Sequence, residues 1–229
     1  LLIVIGPFTM SFQVTSPSIG LRKRTTGGTP GGDAGRVTAP RVDPVGGFTE
    51  TSSRDLPEGD VLALNGSNLL GRASVLGRLR GFDPDFFAYY EDIDLCARVW
   101  ALVGRVVFSP DMLVWHRRNL SSDRIPFRKH YLAHRNHMRL VAKHFPDPRW
   151  RPAVRRAAAA NLASGLTGRT AGAHVPVSGA RRRAHLAAGA WGFANIRRLA
   201  RARRDAIARG EHYAGFAAHA IRDAGGAGR

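Results

Sequence analysis

The stretch GFDPDFFAYYEDIDLC, residues 81–96, decides how this chain is read. It gathers Asp83, Asp85, Glu91, Asp92 and Asp94 into one short run of a 229-residue protein that holds 17 acids against 35 Lys and Arg, for a formal charge of +18. Glu91 and Asp92 stand where an amphipathic helix begins. Cys96, Val99, Trp100 and Val103 recur at i, i+3, i+4 and i+7, and Gly104 marks the end. Carboxylates in a first helical turn cap free amides and complement the dipole, worth roughly 0.5–2 kcal/mol. Asp94, four residues before Arg98, makes an ordinary helical ion pair. Capping does not call for Phe86, Phe87, Tyr89 and Tyr90 just upstream. That combination also fits a cleft with flat apolar walls and one ionised base, since a carboxylate at a helix N-terminus is deprotonated at neutral pH. Spacing alone leaves both readings open.

Outward from this block, VLAL (61–64) reads as a strand closed by the turn Asn65-Gly66-Ser67, and a short helix follows over 73–80. Residues 22–60 are rich in Gly, Pro, Thr and Ser and read as a long loop, and residues 1–8 as a short buried strand. Downstream, RVVF (105–108) and MLVW (112–115) read as strands separated by Ser109-Pro110-Asp111. A longer helix runs over 127–145 on a stripe of Phe127, Tyr131, Met138, Val141 and Phe145, stopped by Pro146 and Pro148. On that helix His130, His134 and His137 share a face at a spacing able to hold a transition metal. With Arg and Lys nearby and no acid, a solvated basic face is the expectation. Past residue 150 come two or three Arg/Ala-rich helices, interrupted over 165–180. The pattern predicts α/β layering through residue 145 and a basic α-helical tail over 146–229.

The charge follows the same division. Residues 146–229 hold sixteen Arg, no Lys and four acids, about +12 of the total. Such a surface seeks polyanions: anionic lipid, nucleic acid or a charged glycan. Cys96 is the single cysteine, which excludes an internal disulfide. LLIVIG at residues 1–6 is a strand's length, short of the roughly 20 residues a bilayer span needs, and no secretory signal is visible.

The blocks GFDPDFFAYYEDIDLCARV, GRVVFSPDMLVWH and YLAHRNHMRLVAKHF, in this order, resemble the C-terminal half of family 2 glycosyltransferases, in particular bacterial rhamnosyltransferase-like enzymes. The resemblance covers residues 61–145, and SPSIGL and DVLALNGSNLL upstream are similar to the family's variable loop and strand-turn. It implies part of a GT-A fold, a Rossmann-like α/β sandwich that binds a nucleotide sugar and a divalent cation. Asp92 then corresponds to the catalytic base of an inverting transfer, and Glu91 orients acceptor or base. Phe87, Tyr89 and Tyr90 become acceptor platforms, and Gly66 serves a turn near the donor sugar. His116 becomes a ligand to Mn²⁺ or Mg²⁺, with Arg117 and Arg118 neutralising phosphates. The implied partners are a nucleotide-sugar donor and a glycan or lipid-linked acceptor of the cell envelope or capsule. The tail over 181–209 would lie on an anionic membrane surface, at the cytoplasmic face of the cell membrane.

The sequence departs from the pattern in places. Arg80 stands where the family has the first Gly of GGFD. The nucleotide-binding half, with its D-x-D strand, has no counterpart; Asp83-Pro84-Asp85 and Asp92-Ile93-Asp94 lack the preceding apolar strand. A fragment, a mis-started reading frame, or a half completed by a partner is the expectation, with little or no transfer alone. Two other readings stand beside this one: a basic nucleic-acid-binding protein, and a non-catalytic remnant or interaction module. Acids beside the aromatics disfavour nucleic acid, because a base-stacking surface wants cations there.

Overall fold

The computed structural model describes residues 38–42, 48–52, 59–66, 69–102, 104–109, 125–170, 173–177 and 179–219. The element order is β1 (Thr38–Val42), β2 (Phe48–Ser52), β3 (Gly59–Asp60), α1 (Ala73–Leu79), α2 (Glu91–Leu102), β4 (Val107–Phe108), α3 (Pro126–His144), α4 (Trp150–Thr167), β5 (Arg169–Thr170), β6 (Ala173–Pro176), α5 (Gly179–Ala194) and α6 (Ile196–Ala208). Helix predominates. Among the described residues the strands form two-stranded antiparallel pairs, β1–β2, β3–β4 and β5–β6. The expected mixture of helix and strand is present in this reduced form. The strands expected over 1–8 and 112–115 lie outside the described residues.

Two segments differ from the sequence expectation. Within 22–60, β1 and β2 pair in register from Thr38 opposite Ser52 to Val42 opposite Phe48. Thr38, Val42, Thr49 and Thr51 are β-branched and suit strands, and a two-stranded ribbon tolerates Pro40 because both its strands are edges. The surrounding Gly and Pro hide that pattern. VLAL is buried as expected, but the ladder lies beside it, in β3 paired with β4, and extends only through the Val61 amide to the Val106 carbonyl at 2.9 Å. Side chains of α2 meet the rest of its backbone. The Trp100 indole donates to the carbonyls of Val61 and Leu62 at 3.1 Å, and the Leu64 amide points at Cys96 Sγ at 3.5 Å.

The amphipathic helices form where the spacing places them. α2 buries Ile93, Leu95, Cys96, Ala97 and Val99, and the chain leaves it at Gly104, whose φ of 94° is a conformation glycine adopts freely. α3 opens on Pro126, whose fixed φ suits a first helical turn, and buries Met138, Leu140, Val141 and Phe145. α5 packs against α3 and α4 through glycines. A Cβ at Gly189 would stand 2.8 Å from the Ala158 carbonyl, and one at Gly192 would stand 2.5 Å from Met138 Sδ. Beyond α6 the chain turns back, and Phe216 enters the core 5.6 Å from the His144 ring. One apolar cluster therefore runs from Val61 to Phe216.

The histidine face of α3 is not solvated. His137 is buried, and His134 lies 4.1 Å ring to ring from His185 of α5, which hydrogen-bonds Asn161 of α4 at 2.8 Å. A helix far along the chain covers that face, which local spacing does not disclose. Among the described residues no helix is long and apolar enough to cross a membrane.

Candidate active site

The segment between α1 and α2 is held in a conformation its side chains resist. Phe87, Tyr89 and Tyr90 adopt φ of 65°, 69° and 69°, left-handed values that cost a bulky residue about 1–3 kcal/mol each. Arg80, where the family pattern has Gly, takes φ of 57° as the C-cap of α1. Residues Arg135 and Asn136 of α3 clamp this loop. Asn136 Nδ2 lies 2.8, 2.7 and 2.8 Å from the carbonyl oxygens of Phe86, Ala88 and Tyr89. Arg135 donates to the carbonyls of Asp85 and Phe86 at 2.9 and 3.0 Å, and its Nε to Asn136 Oδ1 at 2.9 Å. Asn136 is the residue that sequence reasoning leaves without a role, although the Arg-Asn pair sits inside the third block of the resemblance. Asn136→Ala removes the donor shared by three carbonyls, a loss that release of the backbone strain offsets only in part. It is expected to cost roughly 2–4 kcal/mol and to open the chain around residue 88 to limited proteolysis; an unchanged urea midpoint and cleavage pattern contradict the clamp.

Strain and clamp together aim the first turn of α2. The Gly66 amide donates to Asp92 Oδ2 at 2.8 Å, and the Ile93 amide to Oδ1 at 2.8 Å. A Cβ on Gly66 would lie 3.3 Å from Asp92 Cβ, so the backbone approaches closely there. Glu91, next to it, behaves differently. Burial first, and then the negative charge of Asp92, pushes its carboxyl up to about 7 against a weaker backbone hydrogen bond. Its Oε2 is buried and has no hydrogen-bond partner among the described residues. Burial and then Asp92 also raise the Tyr90 phenol, whose ring lies 5.8 Å from that of His137. Phe87 is 68% exposed, with the Arg128 guanidinium 4.7 Å above its ring. Gly66, Tyr89, Tyr90, Glu91 and Asp92 thus meet at one helix end, with Phe87 beside them. His116 and Arg117, and with them the expected cation ligand, lie outside the described residues. Cys96 is no nucleophile here, because burial pushes its thiol up to about 12.

Asp94 has a larger role than a helical ion pair. Its side chain is fully buried and meets Arg98 Nε at 2.8 Å, Lys143 Nζ at 2.7 Å and His144 Nε2 at 3.0 Å. Lys143 also reaches Asp83 at 2.9 Å, and Arg98 donates to the carbonyls of Leu79 and Gly81 at 2.8 Å. Burial alone would raise the Asp94 carboxyl. Lys143, His144 and Arg98 more than reverse this and hold it well below the usual carboxylate range. One network thereby ties the end of α1, the loop at Asp83 and α2 to α3.

Burial lowers His134 to about 3, with the like charges of His185, His137 and His130 adding, and lowers His144 to about 4 against the pull of Asp94. His130 and His185 are lowered by burial too, with Arg181 next, and Lys129 also acting on His130. A histidine depressed in the folded state binds protons more readily when unfolded, so its contribution is whole above 6.5 and is lost as pH falls toward those lowered values. Glu91, raised to about 7, has the opposite sign: its contribution is whole below its ordinary value near 4.5 and lost as pH rises through 7. The several histidines outweigh the one opposing carboxyl, so stability is expected to fall between pH 6.5 and 4, by at most about 1.4 kcal/mol per pH unit for each histidine, less the opposing gain from Glu91 above pH 4.5. His134→Gln should flatten that fall in urea titrations at stepped pH; an unchanged slope contradicts it.

Over 71 residues the chain is 39% identical to the N-acetylglucosaminyl-diphospho-decaprenol L-rhamnosyltransferase of Mycobacterium tuberculosis, in strains CDC 1551 / Oshkosh and ATCC 25618 / H37Rv. The matched stretch is 31% of this chain and 23% of the relative, so the likeness spans less than a quarter of the relative's length. No family model and no solved structure matches the sequence. The chain is thus similar in part to a glycosyltransferase.

Proposed function

We propose that this chain supplies the acceptor side of an inverting family 2 glycosyltransferase of GT-A type, with Asp92 as the catalytic base. The supporting observation is the division of labour between neighbours. Asp92 is fixed by two amides and acts as a negative charge on its surroundings, whereas Glu91 is raised to about 7. One carboxyl raised by burial beside another held by two amides is an arrangement suited to acid/base chemistry. The acceptor hydroxyl gives its proton to Asp92 as its oxygen bonds the anomeric carbon. The bond from that carbon to the nucleoside diphosphate breaks on the opposite face, and the diphosphate leaves with the electron pair. Glu91, protonated in part at neutral pH, orients the acceptor. Phe87, Tyr89 and Tyr90 form its walls.

The donor nucleotide and the remainder of its site are supplied outside these residues. A divalent cation, Mn²⁺ or Mg²⁺, would neutralise the leaving diphosphate. Among the described residues no three His, Cys, Asp or Glu side chains assemble to hold one. The acceptor of the partial relative, by its name, is a lipid-linked diphosphate sugar; an acceptor of that class, met at the cytoplasmic face of a membrane, is the reading adopted for this chain. Nucleic acid is not favoured. The test is transfer itself: nucleotide-sugar donors offered with a polyprenyl-diphosphate sugar, in a preparation holding the whole catalytic domain. Acceptor-dependent release of nucleoside diphosphate supports the reading. Release with no glycosylated product removes it.

A further inference from the structure

Between α3 and α6, beside the clamped loop, lies a cavity of about 360 Å³ lined by Asp85, Arg139, Arg197, Arg198, Arg201 and Asp205. Against roughly 30 Å³ per water molecule, it has room for a small polyanion. Four guanidinium groups face two carboxylates there, so the cavity is positive even with Asp85 and Asp205 ionised. Asp85 is engaged already, by Arg139 through Oδ2 and by Arg198 through Oδ1 at 3.4 Å.

Arg139 is the informative member. Its side chain is only 4% exposed, packed 5.6 Å from the centre of the Phe86 ring. Its Nε is buried and has no hydrogen-bond partner among the described residues. A buried guanidinium donor left unmade is unfavourable, and a carboxylate already held on its other nitrogen does not satisfy it. Burial lowers the Arg139 guanidinium, and the like charge of Arg198 adds to this against Asp83. Arg198 acts the same way on Arg135, where burial again comes first. Like charges gathered around one cavity are relieved by an anion. Forked donors on several arginines suit phosphate oxygens in particular.

We propose that this cavity is a phosphate-binding site, sized for a diphosphate, with Arg139 as its buried anchor and Arg197, Arg198 and Arg201 as its rim. The shared ligand chemistry is the phosphate oxyanion. Its two sources are the diphosphate of a lipid-linked acceptor, which rests on the function proposed above, and the headgroup of an anionic phospholipid. The site adjoins the loop that carries Phe87 and Tyr89, since Asp85 belongs to both.

The probe is inorganic pyrophosphate, titrated calorimetrically into the protein at fixed salt, with no sugar present. Saturable binding is expected, weakened at least tenfold in Arg197→Gln/Arg201→Gln, two exposed positions whose loss leaves the fold intact. Arg155→Gln/Arg156→Gln on the exposed face of α4 removes the same charge and should leave binding within twofold. Absent binding, or equal weakening in both pairs, overturns the site. Phosphatidylglycerol vesicles separate the sources: vesicle binding that pyrophosphate displaces and Arg197→Gln/Arg201→Gln weakens assigns the headgroup, and pyrophosphate binding without vesicle binding assigns the diphosphate. Loss of sugar transfer with pyrophosphate binding intact would refute the glycosyltransferase reading and leave this site standing.

Discussion

Asp94→Asn lowers the folding free energy by about 3–5 kcal/mol, a large part of what an ordinary domain possesses. Asparagine keeps the shape and removes the charge. Lys143 and Arg98 are then left almost fully buried, each having lost its closest anion. Lys143 retains Asp83, and Arg98 retains the carbonyls of Leu79 and Gly81, so the protein is destabilised without losing every contact. The measurement is a urea denaturation followed by circular dichroism, in which the midpoint should fall sharply at unchanged slope. A loss below about 1 kcal/mol contradicts the network. The double variant Asp94→Leu/Lys143→Met should recover part of the loss, since Lys143 is no longer stranded, while Arg98 keeps only the carbonyls of Leu79 and Gly81.

How much of this was legible in the sequence can be followed through single residues. The apolar period of Cys96, Val99 and Trp100 placed α2, and the stripe of Tyr131, Met138 and Val141 with the stop at Pro146 placed α3, because these signals act within one or two turns. Glu91 and Asp92 were legible as the start of a helix after aromatics. The left-handed backbone of Phe87, Tyr89 and Tyr90 was not, since no glycine or asparagine announces it. It exists because Asn136, close in space and distant in sequence, takes the carbonyls that conformation presents. Arg203 gives the same lesson. By composition it is another cation of the basic region, indistinguishable from Arg201 or Arg204. In the fold it is buried, donates to the carbonyls of Ala142 and Phe145 at the end of α3, and meets Asp147 at 3.0 Å. Charge counting over 146–229 registers a surface and misses this, because burial is decided by what packs on top.

The same limit applies to the histidines. Spacing put His130, His134 and His137 on one face, and their chemistry then depended on whether a helix covered it. α5 does, through small residues whose close approach to α4 no local pattern specifies. Of the site itself, the pairing of Gly66 with Asp92 is the most informative addition. It turns a turn glycine and a first-turn carboxylate into one unit across 26 residues of sequence.

Asp92→Asn carries the largest expected effect on activity. The substitution preserves the size of the side chain and an acceptor for one of the two amides, Gly66 or Ile93, so α2 and the loop before it should stay folded at the cost of about one hydrogen bond, roughly 1 kcal/mol. It removes the group proposed to take the proton, a role worth about 10²–10⁴ in rate. The measurement is turnover and donor affinity of Asp92→Asn beside the parent, in the same active preparation and at the same pH. A loss of turnover of at least 100-fold at unchanged donor affinity is the predicted result. Turnover within twofold of the parent would contradict it and take Asp92 out of the chemistry.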